Sequence, residues 1–596
     1  MQPYALLHRD GADHVEVLTG DLVVVDTLDQ IPLAKQGETL ALIPFRQITE
    51  RGFDCVDDRT PLECLVITGR TTRPLSAYPP GDVTVTGGAF DIGDDAYATI
   101  VDEVLRDEIG RGEGSNFVIH RVYEATMDGD PEAAFGRLLH GEQGAYWTFL
   151  VHTGTRTLIG ASPERHVSVL DGLTMMNPIS GTYRHGSPQS LLDFLRDPKE
   201  VEELLMVLDE ELKMMAVVAE HGGQVVGPYL KPMTHLTHTE YLLAGRGSLD
   251  VREVLRETMF APTVTGSPIE NACRVIARHE GRGRGYYGGV LALLGHDDAG
   301  RPTLDAPILI RTAEISPAGK LRVPVGATLV RHSTPAGEVA ETHTKAAGVL
   351  AALGVRPPAA ASAAPGTDDP EVRRELADRN TGLARFWLDE RAPAATTFQG
   401  RSVAIVDAED TFTAMLAHQL RSTGLDVSVT PYRKMGLIDA DLVIVGPGPG
   451  DPGDPGDPKM SYLRGLVTGL LAAGRPVLGV CLGHQILSGL LGLGLHRRDA
   501  PYQGVAKDID LFGTPRKVGF YSSFTAVSPA DRLVSPYGPV EIARDPADGS
   551  VHALRGPGFA GVQFHPESVL SRDGVAVLHD LLPPLLSRVI SPAHNG

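Results

Sequence analysis

Cysteine, long apolar runs and basic charge are all scarce in this sequence. Only four cysteines occur in 596 residues, which excludes a disulfide framework and is typical of a reducing compartment. No run of about 18 apolar residues is present, and the start of the chain lacks a basic segment followed by an apolar one. We therefore expect a cytoplasmic protein that does not enter a membrane. The net charge of −21 leaves no basic surplus, which argues against nucleic-acid binding.

The organisation of the chain follows from its length and from one change in composition. A hydrophobic content of 42% and a charged content of 22% are ordinary for globular domains, and the length predicts several of them. Residues 355–370 are rich in alanine and proline, which is typical of a linker. We predict a first domain at 1–354, a partly helical linker at 355–399 and a second domain at 400–596. Strands and helices alternate in the second domain, which predicts a doubly wound parallel α/β sheet.

A cysteine follows a strand at a predicted sharp turn. Residues 477–480 predict a short buried strand, Cys481 comes next, and helix-compatible sequence follows. Gly479-x-Cys481-x-Gly483 has the spacing of a nucleophile elbow, with a thiol in place of serine. A helix N-terminus lowers the pKa of a thiol and so favours the thiolate. Taken alone, the pattern fits a nucleophile and a buried packing residue equally well.

Two further segments favour the nucleophile. His565 and Glu567 lie two apart after an apolar run, so on an extended segment they share one side. They supply a base and a group to orient it, as thiolate acyl transfer requires. Upstream, a strand-like run from Asp441 enters a glycine-rich turn ending at Gly450, whose amides could hold an oxyanion.

The order and spacing of these three segments resemble the class I, triad-type glutamine amidotransferases. The resemblance implies that Cys481, His565 and Glu567 are catalytic; a thiol enzyme of another kind is the alternative. It also implies a set of glutamine-binding residues, which are Gly448, Pro449, Gly450, Leu482, Gln485, Ser523 and Phe524.

Two pairs of glutamates recur at helical spacing in the N-terminal part. Glu200 and Glu203 lie three apart, as do Glu338 and Glu341, and Lys345 lies four beyond Glu341. Each pair therefore shares one helix face, and such faces are more often solvated salt-bridge surfaces. Two pairs from distant segments could instead meet around Mg²⁺, which takes carboxylate oxygens. Spacing alone leaves both interpretations open.

Six strings occur in a fixed order between residues 160 and 312. They are Gly160-Ala-Ser-Pro-Glu164, Asn177-Pro-Ile-Ser-Gly181-Thr182, His235-Leu-Thr-His238, Thr263-Val-Thr-Gly-Ser-Pro, Arg284-Gly-Tyr-Tyr287 and Ile308-Leu-Ile-Arg311. Together they resemble the chorismate-using enzymes, which include anthranilate, aminodeoxychorismate, isochorismate and salicylate synthases. The resemblance runs from about residue 90 to 350 and implies an N-terminal α+β chorismate-binding domain. His235 itself is read as a hydrogen-bonded core residue.

The resemblance also implies roles for single residues. Glu203 and Glu341 match Mg²⁺ ligands, with Glu200 and Glu338 in support. Glu164 matches the acid that protonates the departing ring hydroxyl, which requires a raised pKa. His238 matches a catalytic histidine beside the metal and the substrate. The residues that match chorismate contacts are Asn116, Gly181, Thr182, Thr265, Tyr287, Arg311, Gly326, Ala327, Thr328 and Lys345, and Thr328 replaces a usual glycine.

Two positions bear on the attacking group. Water-using relatives carry a lysine base where this chain has Asn116, and aminodeoxychorismate synthases often carry a nucleophilic lysine where it has Ser180. The resemblance therefore implies direct attack by ammonia. Strings such as Gly112-Glu-Gly-Ser-Asn-Phe-Val look closest to the fused 2-amino-2-desoxyisochorismate synthases of phenazine and related secondary metabolism. The chain also lacks a Leu-Leu-Glu-Ser string that resembles a tryptophan feedback site.

We thus predict Mg²⁺-dependent amination of chorismate to 2-amino-2-desoxyisochorismate. L-Glutamine supplies the ammonia through an internal passage, and a homodimer is expected by analogy with the family. The alternative enzyme is an anthranilate synthase that also eliminates pyruvate. A catalytically silent regulatory homologue is the alternative from another class, and the complete sets of acidic and triad residues argue against it.

Overall fold

The computed structural model describes residues 2–35, 37–187, 189–234, 236–354, 369–391 and 395–587. The chain forms two compact units: the first comprises Met1–Ile109 and Gly114–Asn380, and the second comprises Gly110–Glu113 and Thr381–Gly596. Most of the predicted linker stretch at 355–370 lies outside the described residues, and so does His235.

The first unit contains eighteen strands in the described part of the chain. They are β1 (Tyr4–Arg9), β2 (His14–Val25), β3 (Thr39–Ile43), β4 (Leu62–Pro74), β5 (Val83–Phe90), β6 (Asn116–Gly129), β7 (Trp147–His152), β8 (Thr157–Ser162), β9 (Arg165–Leu170), β10 (Leu173–Met176), β11 (Ile179–Arg184), β12 (Gln224–Pro232), β13 (Leu236–Arg246), β14 (Gly266–Ser267), β15 (Val290–His296), β16 (Pro302–Pro307), β17 (Thr312–Ile315) and β18 (Lys320–Val330).

These strands form one continuous antiparallel sheet. The hydrogen-bonded order is β5–β6–β18–β17–β8–β7–β1–β2–β4–β3–β15–β16–β9–β10–β13–β12. β11 also pairs with β13, and β14 pairs with β6. Segments far apart in sequence therefore become neighbours in the sheet, which brings the ends of several strands to one cavity.

Eight helices accompany this sheet in the described part of the first unit. They are α1 (Asp94–Glu103), α2 (Pro131–Gly141), α3 (Leu191–Arg196), α4 (Pro198–Val218), α5 (Val251–Thr258), α6 (Ile269–Glu280), α7 (Pro335–Ala352) and α8 (Pro370–Asp378). Leucines of α2 and apolar residues of α7 pack with β7, β8, β17 and β18 in one apolar core.

The two acidic pairs lie in the first turns of capped helices. α4 begins at Pro198, and the Asp197 side chain accepts a hydrogen bond from the Lys199 amide. α7 begins at Pro335, and Thr334 caps it in the same way. Proline at the first helical position and an oxygen-bearing cap are strong start signals. α3 ends at Arg196 and α4 begins at Pro198, so residues 191–218 form two helices.

The second unit contains ten strands and five helices in its described residues. The strands are β19 (Ser402–Asp407), β20 (Asp426–Pro431), β21 (Leu442–Val445), β22 (Val477–Val480), β23 (Gly494–Leu511), β24 (Thr514–Val527), β25 (Arg532–Ser535), β26 (Gly538–Arg544), β27 (Val551–Gly556) and β28 (Phe559–Val562). The helices are α9 (Arg385–Leu388), α10 (Phe412–Ser422), α11 (Pro458–Ala472), α12 (Leu482–Leu490) and α13 (Gly574–Leu586).

Its main sheet has the order β20–β19–β21–β22–β28–β27–β26–β25, and the first five strands are parallel. Alternate strand residues pack on opposite faces: Leu442 with the core that includes α10 and α13, and Val443 with the core that includes α11 and α12. The predicted doubly wound parallel sheet is confirmed. An antiparallel extension and a separate β23–β24 hairpin add to it.

Across the described residues, no helix combines the length and the apolar character needed to cross a membrane.

Candidate functional site

Cys481 occupies the predicted turn between β22 and α12. Its φ is +50°, a left-handed conformation that is uncommon for a residue other than glycine. A Cβ on Gly479 would lie 2.6 Å from the Gly483 carbonyl carbon, and a Cβ on Gly483 would lie 2.2 Å from the Val445 carbonyl oxygen. Glycine is therefore required on both sides of the cysteine. The strained turn holds the thiol at the start of α12.

His565 and Glu567 complete a relay with this thiol. The distance from His565 Nδ1 to Glu567 Oε1 is 2.9 Å, and both side chains are buried. Burial alone would lower the pKa of His565, but the Cys481 thiol and the Glu567 carboxylate outweigh it and raise that pKa well above its usual range. Within the described residues, His565 Nε2 has no hydrogen-bond partner. The histidine is therefore suited to hold the thiol proton as an imidazolium.

Aromatic rings and strand β24 fix the surroundings of the relay. The Phe412 ring lies 4.4 Å from the His565 ring, and the Tyr521 ring meets it edge-on at 5.6 Å. Cys481 Sγ lies 3.6 Å from the Tyr521 carbonyl oxygen. These contacts limit how far the histidine can turn away from the thiol.

The predicted glutamine-binding residues lie on three segments around the elbow. Leu482 is buried directly after the cysteine, and Gln485 Nε2 donates to the Phe524 carbonyl at 3.0 Å. Ser523 Oγ donates to the carbonyl of Gly112, which belongs to the same unit, at 2.8 Å. Gly448, Pro449 and Gly450 follow β21, the parallel neighbour of the strand that ends at the cysteine. Strand β24 and the β21 edge thus both approach the elbow.

The first unit contains a cavity of about 180 Å³ whose wall includes most of the predicted chorismate-site residues. The predicted residues in its wall are Glu164, Gly181, Thr182, Glu200, Glu203, His238, Tyr287, Arg311, Gly326, Thr328, Glu341 and Lys345. They come from strands β11, β13 and β18, helices α4 and α7 and the connecting loops. The cavity is therefore assembled from segments that are distant in sequence.

Three of the four glutamates in the acidic pairs line this cavity, and Glu338 lies outside its wall. Burial, followed by the charges of Glu200 and Glu341, raises the pKa of Glu203 to about 7. Glu200 and Glu338 also have pKa values raised to about 7, chiefly by burial. Lys345 Nζ lies 2.7 Å from Glu341 Oε1 and lowers that pKa despite burial. These carboxyls repel one another and are not a solvated surface face.

The donor set fits a divalent cation. Among the described residues, no three His, Cys, Asp or Glu side chains form a preassembled metal cluster. However, Glu200 Oε2 and Glu338 Oε2 are buried without a hydrogen-bond partner in the described part of the chain. Ser180 Oγ donates to Glu203 Oε1 at 2.8 Å, and Lys199 Nζ lies 3.7 Å from Glu338 Oε1. Buried carboxylate oxygens without donors are the ligands that Mg²⁺ takes.

Glu164 has the protonation state of a general acid. Burial raises its pKa to about 8, so the carboxyl is largely protonated at neutral pH. Thr263 Oγ1 donates to Glu164 Oε1 at 2.9 Å, which orients the carboxyl in the cavity wall.

His238 and Arg311 contribute contrasting chemistry to the cavity wall. His238 Nδ1 lies 2.6 Å from the Gly181 carbonyl oxygen, so Nδ1 carries the hydrogen and Nε2 keeps a lone pair. Burial lowers the pKa of His238 to about 3, so the ring is neutral. Arg311 adopts a φ of +52° at its position before β17 and places a permanent positive charge in the wall. The wall thus offers a neutral base and an anion-binding group.

Gly181 is required by a close approach. Its φ is +73°, and an added Cβ would lie 2.6 Å from Glu200 Oε2. A side chain at this position would therefore displace a carboxylate of the acidic cluster.

Four predicted site residues lie outside the cavity wall. Asn116 is fully buried on β6, and Thr265 Oγ1 donates to the Ala261 carbonyl at 2.8 Å. Ala327 packs in an apolar core. Glu338 lies behind the wall, where it pairs with Lys199. These four residues therefore do not line the cavity.

The sequence patterns missed several functional neighbours. Thr263 and Thr265 lie in the same string, but the sequence analysis predicts only Thr265 as a site residue. Lys199 is adjacent to Glu200 in the first turn of α4, and this position in the sequence could have indicated that it lies beside the acidic pairs. No sequence pattern indicated Phe412, Tyr521 or Trp387 beside the relay.

Two family models match different parts of the chain. Residues 64–351 match the family model of chorismate binding enzymes, and residues 404–583 match that of class-I glutamine amidotransferases. The menaquinone-specific isochorismate synthase of Escherichia coli has a similar fold, with a TM-score of 0.50 at 19% identity over 59% of this chain and 88% of that one.

Relatives match along nearly the whole length. The phenazine-specific anthranilate synthase of Pseudomonas chlororaphis is 49% identical over 100% of this chain and 96% of its own. The enzyme of the same description from Pseudomonas fluorescens is 50% identical over 98% of this chain and 94% of its own. The chain is therefore an enzyme of the anthranilate synthase family, in the group of phenazine-specific anthranilate synthases that join a chorismate-binding domain to a class I glutamine amidotransferase domain.

Proposed function

We propose that the chain transfers the amide nitrogen of L-glutamine to chorismate and releases 2-amino-2-desoxyisochorismate for phenazine-type secondary metabolism. The observation that carries this proposal is the coexistence of a complete Cys–His–Glu relay and a cavity that combines an acid, an acidic cluster and an anion-binding arginine. A silent homologue would have no reason to keep both.

The relay supports glutamine hydrolysis. Cys481 attacks the amide carbon, and His565 passes the thiol proton to the departing nitrogen, so ammonia leaves and a glutamyl thioester forms. Glu567 holds the Nδ1 proton of His565 and stabilises the imidazolium. Water then cleaves the thioester to give glutamate and restore the thiol. Backbone amides in the turn at Gly448–Gly450 are proposed to hold the oxyanion.

The cavity supports addition of that ammonia to chorismate. Ammonia attacks the ring carbon next to the one that bears the carboxylate, the ring double bonds shift, and the ring hydroxyl leaves. Glu164 donates the proton that converts the hydroxyl to water, because its raised pKa keeps it protonated. Arg311 and Tyr287 also line the cavity, and they bind a carboxylate of the substrate.

Glu203 and Glu341, supported by Glu200 and Glu338, would hold Mg²⁺. When bound, the ion supplies positive charge that neutralises these carboxylates and the ring carboxylate of the substrate. A homodimer stays a prediction.

One observation favours a second product. Among the described residues, Nε2 of the neutral His238 ring has no hydrogen-bond partner, so its lone pair could remove the proton at the aminated carbon while pyruvate leaves. That step would make anthranilate. We propose 2-amino-2-desoxyisochorismate as the released product because two relatives that match nearly the whole chain are described as phenazine specific.

Product analysis separates these functions. The purified protein is incubated with chorismate, glutamine and Mg²⁺, and the products are measured by mass and by a pyruvate assay. We expect 2-amino-2-desoxyisochorismate as the product and no release of pyruvate. Fluorescent anthranilate with stoichiometric pyruvate would establish the second product, and the absence of turnover would contradict both.

A further inference from the structure

Residues that the sequence places in the linker pack directly on the catalytic loop of the second unit. Trp387 lies in α9 and is fully buried. Its Nε1 donates to the carbonyl oxygen of Glu567 at 2.8 Å. Three residues earlier, the Ala384 amide donates to the carbonyl oxygen of Val569, also at 2.8 Å.

A third donor holds the same loop from another helix. Gln419 of α10 is fully buried, and its Nε2 donates to the carbonyl oxygen of Pro566 at 3.3 Å. The loop after β28 therefore has the carbonyls of residues 566, 567 and 569 bound by donors from outside it. It forms neither helix nor strand in this stretch, so these bonds replace the regular hydrogen bonding that would otherwise fix its backbone.

The position of this backbone controls the relay. The Glu567 side chain must reach His565 Nδ1, and its carbonyl is the atom that Trp387 binds. A loss of this bond lets the Glu567 backbone rotate, which moves its carboxylate away from the histidine. The histidine in turn sets the protonation of Cys481.

The hydrogen bond of the Trp387 indole N–H does not follow from the burial of a tryptophan alone. The chain has two tryptophans, and Trp147 in the first unit is equally buried. Its Nε1 has no hydrogen-bond partner among the described residues, whereas that of Trp387 has one at near-ideal distance. Packing explains a buried indole ring, but the bond to the Glu567 carbonyl adds a directional constraint.

We propose that Trp387 is a positioning residue of the glutaminase centre, acting through Glu567 and His565 on the Cys481 thiol. This proposal rests on the assignment of Cys481, His565 and Glu567 under the proposed function. Helix α9 would then contribute to glutamine hydrolysis and would not serve only to connect the two units.

The test uses the full chain with Trp387→Phe, which keeps a buried ring and removes the N–H. With saturating chorismate and Mg²⁺, we expect the glutaminase kcat to fall about tenfold, while the KM for glutamine stays within about twofold. Alkylation of Cys481 by iodoacetamide, followed by peptide mass, should shift to higher pH, because a misplaced histidine stabilises the thiolate less. Amination with ammonium salts should be unchanged.

Trp147→Phe is the matched control and should leave the glutaminase kcat and the alkylation profile unchanged. A Trp387→Phe enzyme with a lower Tm but wild-type kcat and alkylation profile would overturn the proposal, since packing alone would then explain the residue. If Trp387→Phe does not fold, Gln419→Met decides: a fall of about threefold in kcat with an unchanged KM supports the backbone clamp, and wild-type kcat overturns it. Glutaminase activity that survives in Cys481→Ala would instead contradict the assignment of the triad.

Discussion

In the second unit, the three side chains of the proposed relay come from two short segments, whereas the cavity wall of the first unit comes from segments spread over residues 163–345. The relay pairs its charged groups internally: the histidine faces a carboxylate on one side and a thiol on the other. The cavity instead keeps buried carboxyls with raised pKa values and two oxygens without donors in the described residues. The relay is electrostatically complete, whereas the cavity presents the carboxylate oxygens that a cation would need.

This difference has a functional reason. Hydrolysis of glutamine needs one nucleophile and one proton carrier, which a rigid local turn can hold. Amination must bind a dianion inside an acidic protein and still keep one carboxyl protonated. Burial keeps the Glu164 carboxyl protonated, and the mutual repulsion of the carboxyls in the two acidic pairs favours a bound cation.

The largest effect should come from Cys481→Ala. It should reduce glutamine-dependent amination by roughly 10³-fold or more, because the nucleophile is lost. Amination with ammonium salts should stay near the wild-type rate, because the cavity is untouched. Both rates are measured by chorismate consumption. Loss of the ammonium-dependent rate as well would contradict two separate centres.

Glu164→Gln should impair the chorismate cavity and leave the glutaminase relay intact. The amide cannot donate the carboxyl proton, so amination from either nitrogen source should fall by roughly 10²- to 10⁴-fold. Glutamine hydrolysis should persist, and release of glutamate measures it in the same samples. An unaffected amination rate would remove Glu164 from the mechanism.

Glu203→Gln should expose the dependence of the cavity on a cation. Replacing one buried carboxyl lowers the negative charge that holds Mg²⁺, so the metal concentration at half-maximal amination should rise by at least about tenfold. Isothermal titration with Mg²⁺ gives the binding change independently of turnover. If both values match the wild type, the acidic cluster is not the metal site.

The pH dependence should show the raised pKa of Glu164. Its carboxyl must be protonated, so amination at constant free ammonia and saturating Mg²⁺ should fall about tenfold per pH unit above about pH 8. The residual activity of Glu164→Gln provides the control and should lack this alkaline limb. A limb that persists in the variant would belong to another group.

Thr265→Val should have the smallest effect. Its hydroxyl bonds the Ala261 carbonyl and does not face the cavity, so we expect a loss of about 1 kcal/mol in stability and no change in the KM for chorismate. Thr263→Val is the contrasting variant, because that hydroxyl donates to Glu164 and its loss should change kcat. A raised KM in Thr265→Val would restore it as a substrate contact.

The sequence predicted the local parts of the structure well. The elbow at Cys481 and the strands of the parallel sheet depend on short-range patterns, and the structure confirms the sheet. The acidic pairs were visible as helical spacing, and their caps at Asp197 and Thr334 explain why both begin helices.

Contacts between distant segments could not be read in the same way. The choice between Thr263 and Thr265 depends on which hydroxyl faces Glu164, and alternation along the chain does not decide that near a turn. Trp387 lies beside the low-complexity linker, and only folding brings its indole to the Glu567 carbonyl. The sequence patterns also did not distinguish the antiparallel strands β25, β26 and β27 from loops.

The most direct test of the account follows the nitrogen atom. Wild-type enzyme is given chorismate, Mg²⁺ and glutamine labelled with ¹⁵N in the amide, and the product is analysed by mass spectrometry. The account predicts a 2-amino-2-desoxyisochorismate that carries the ¹⁵N label, formed in step with glutamate. Chorismate conversion to a product without the label, or glutamate release without any amination, would contradict it.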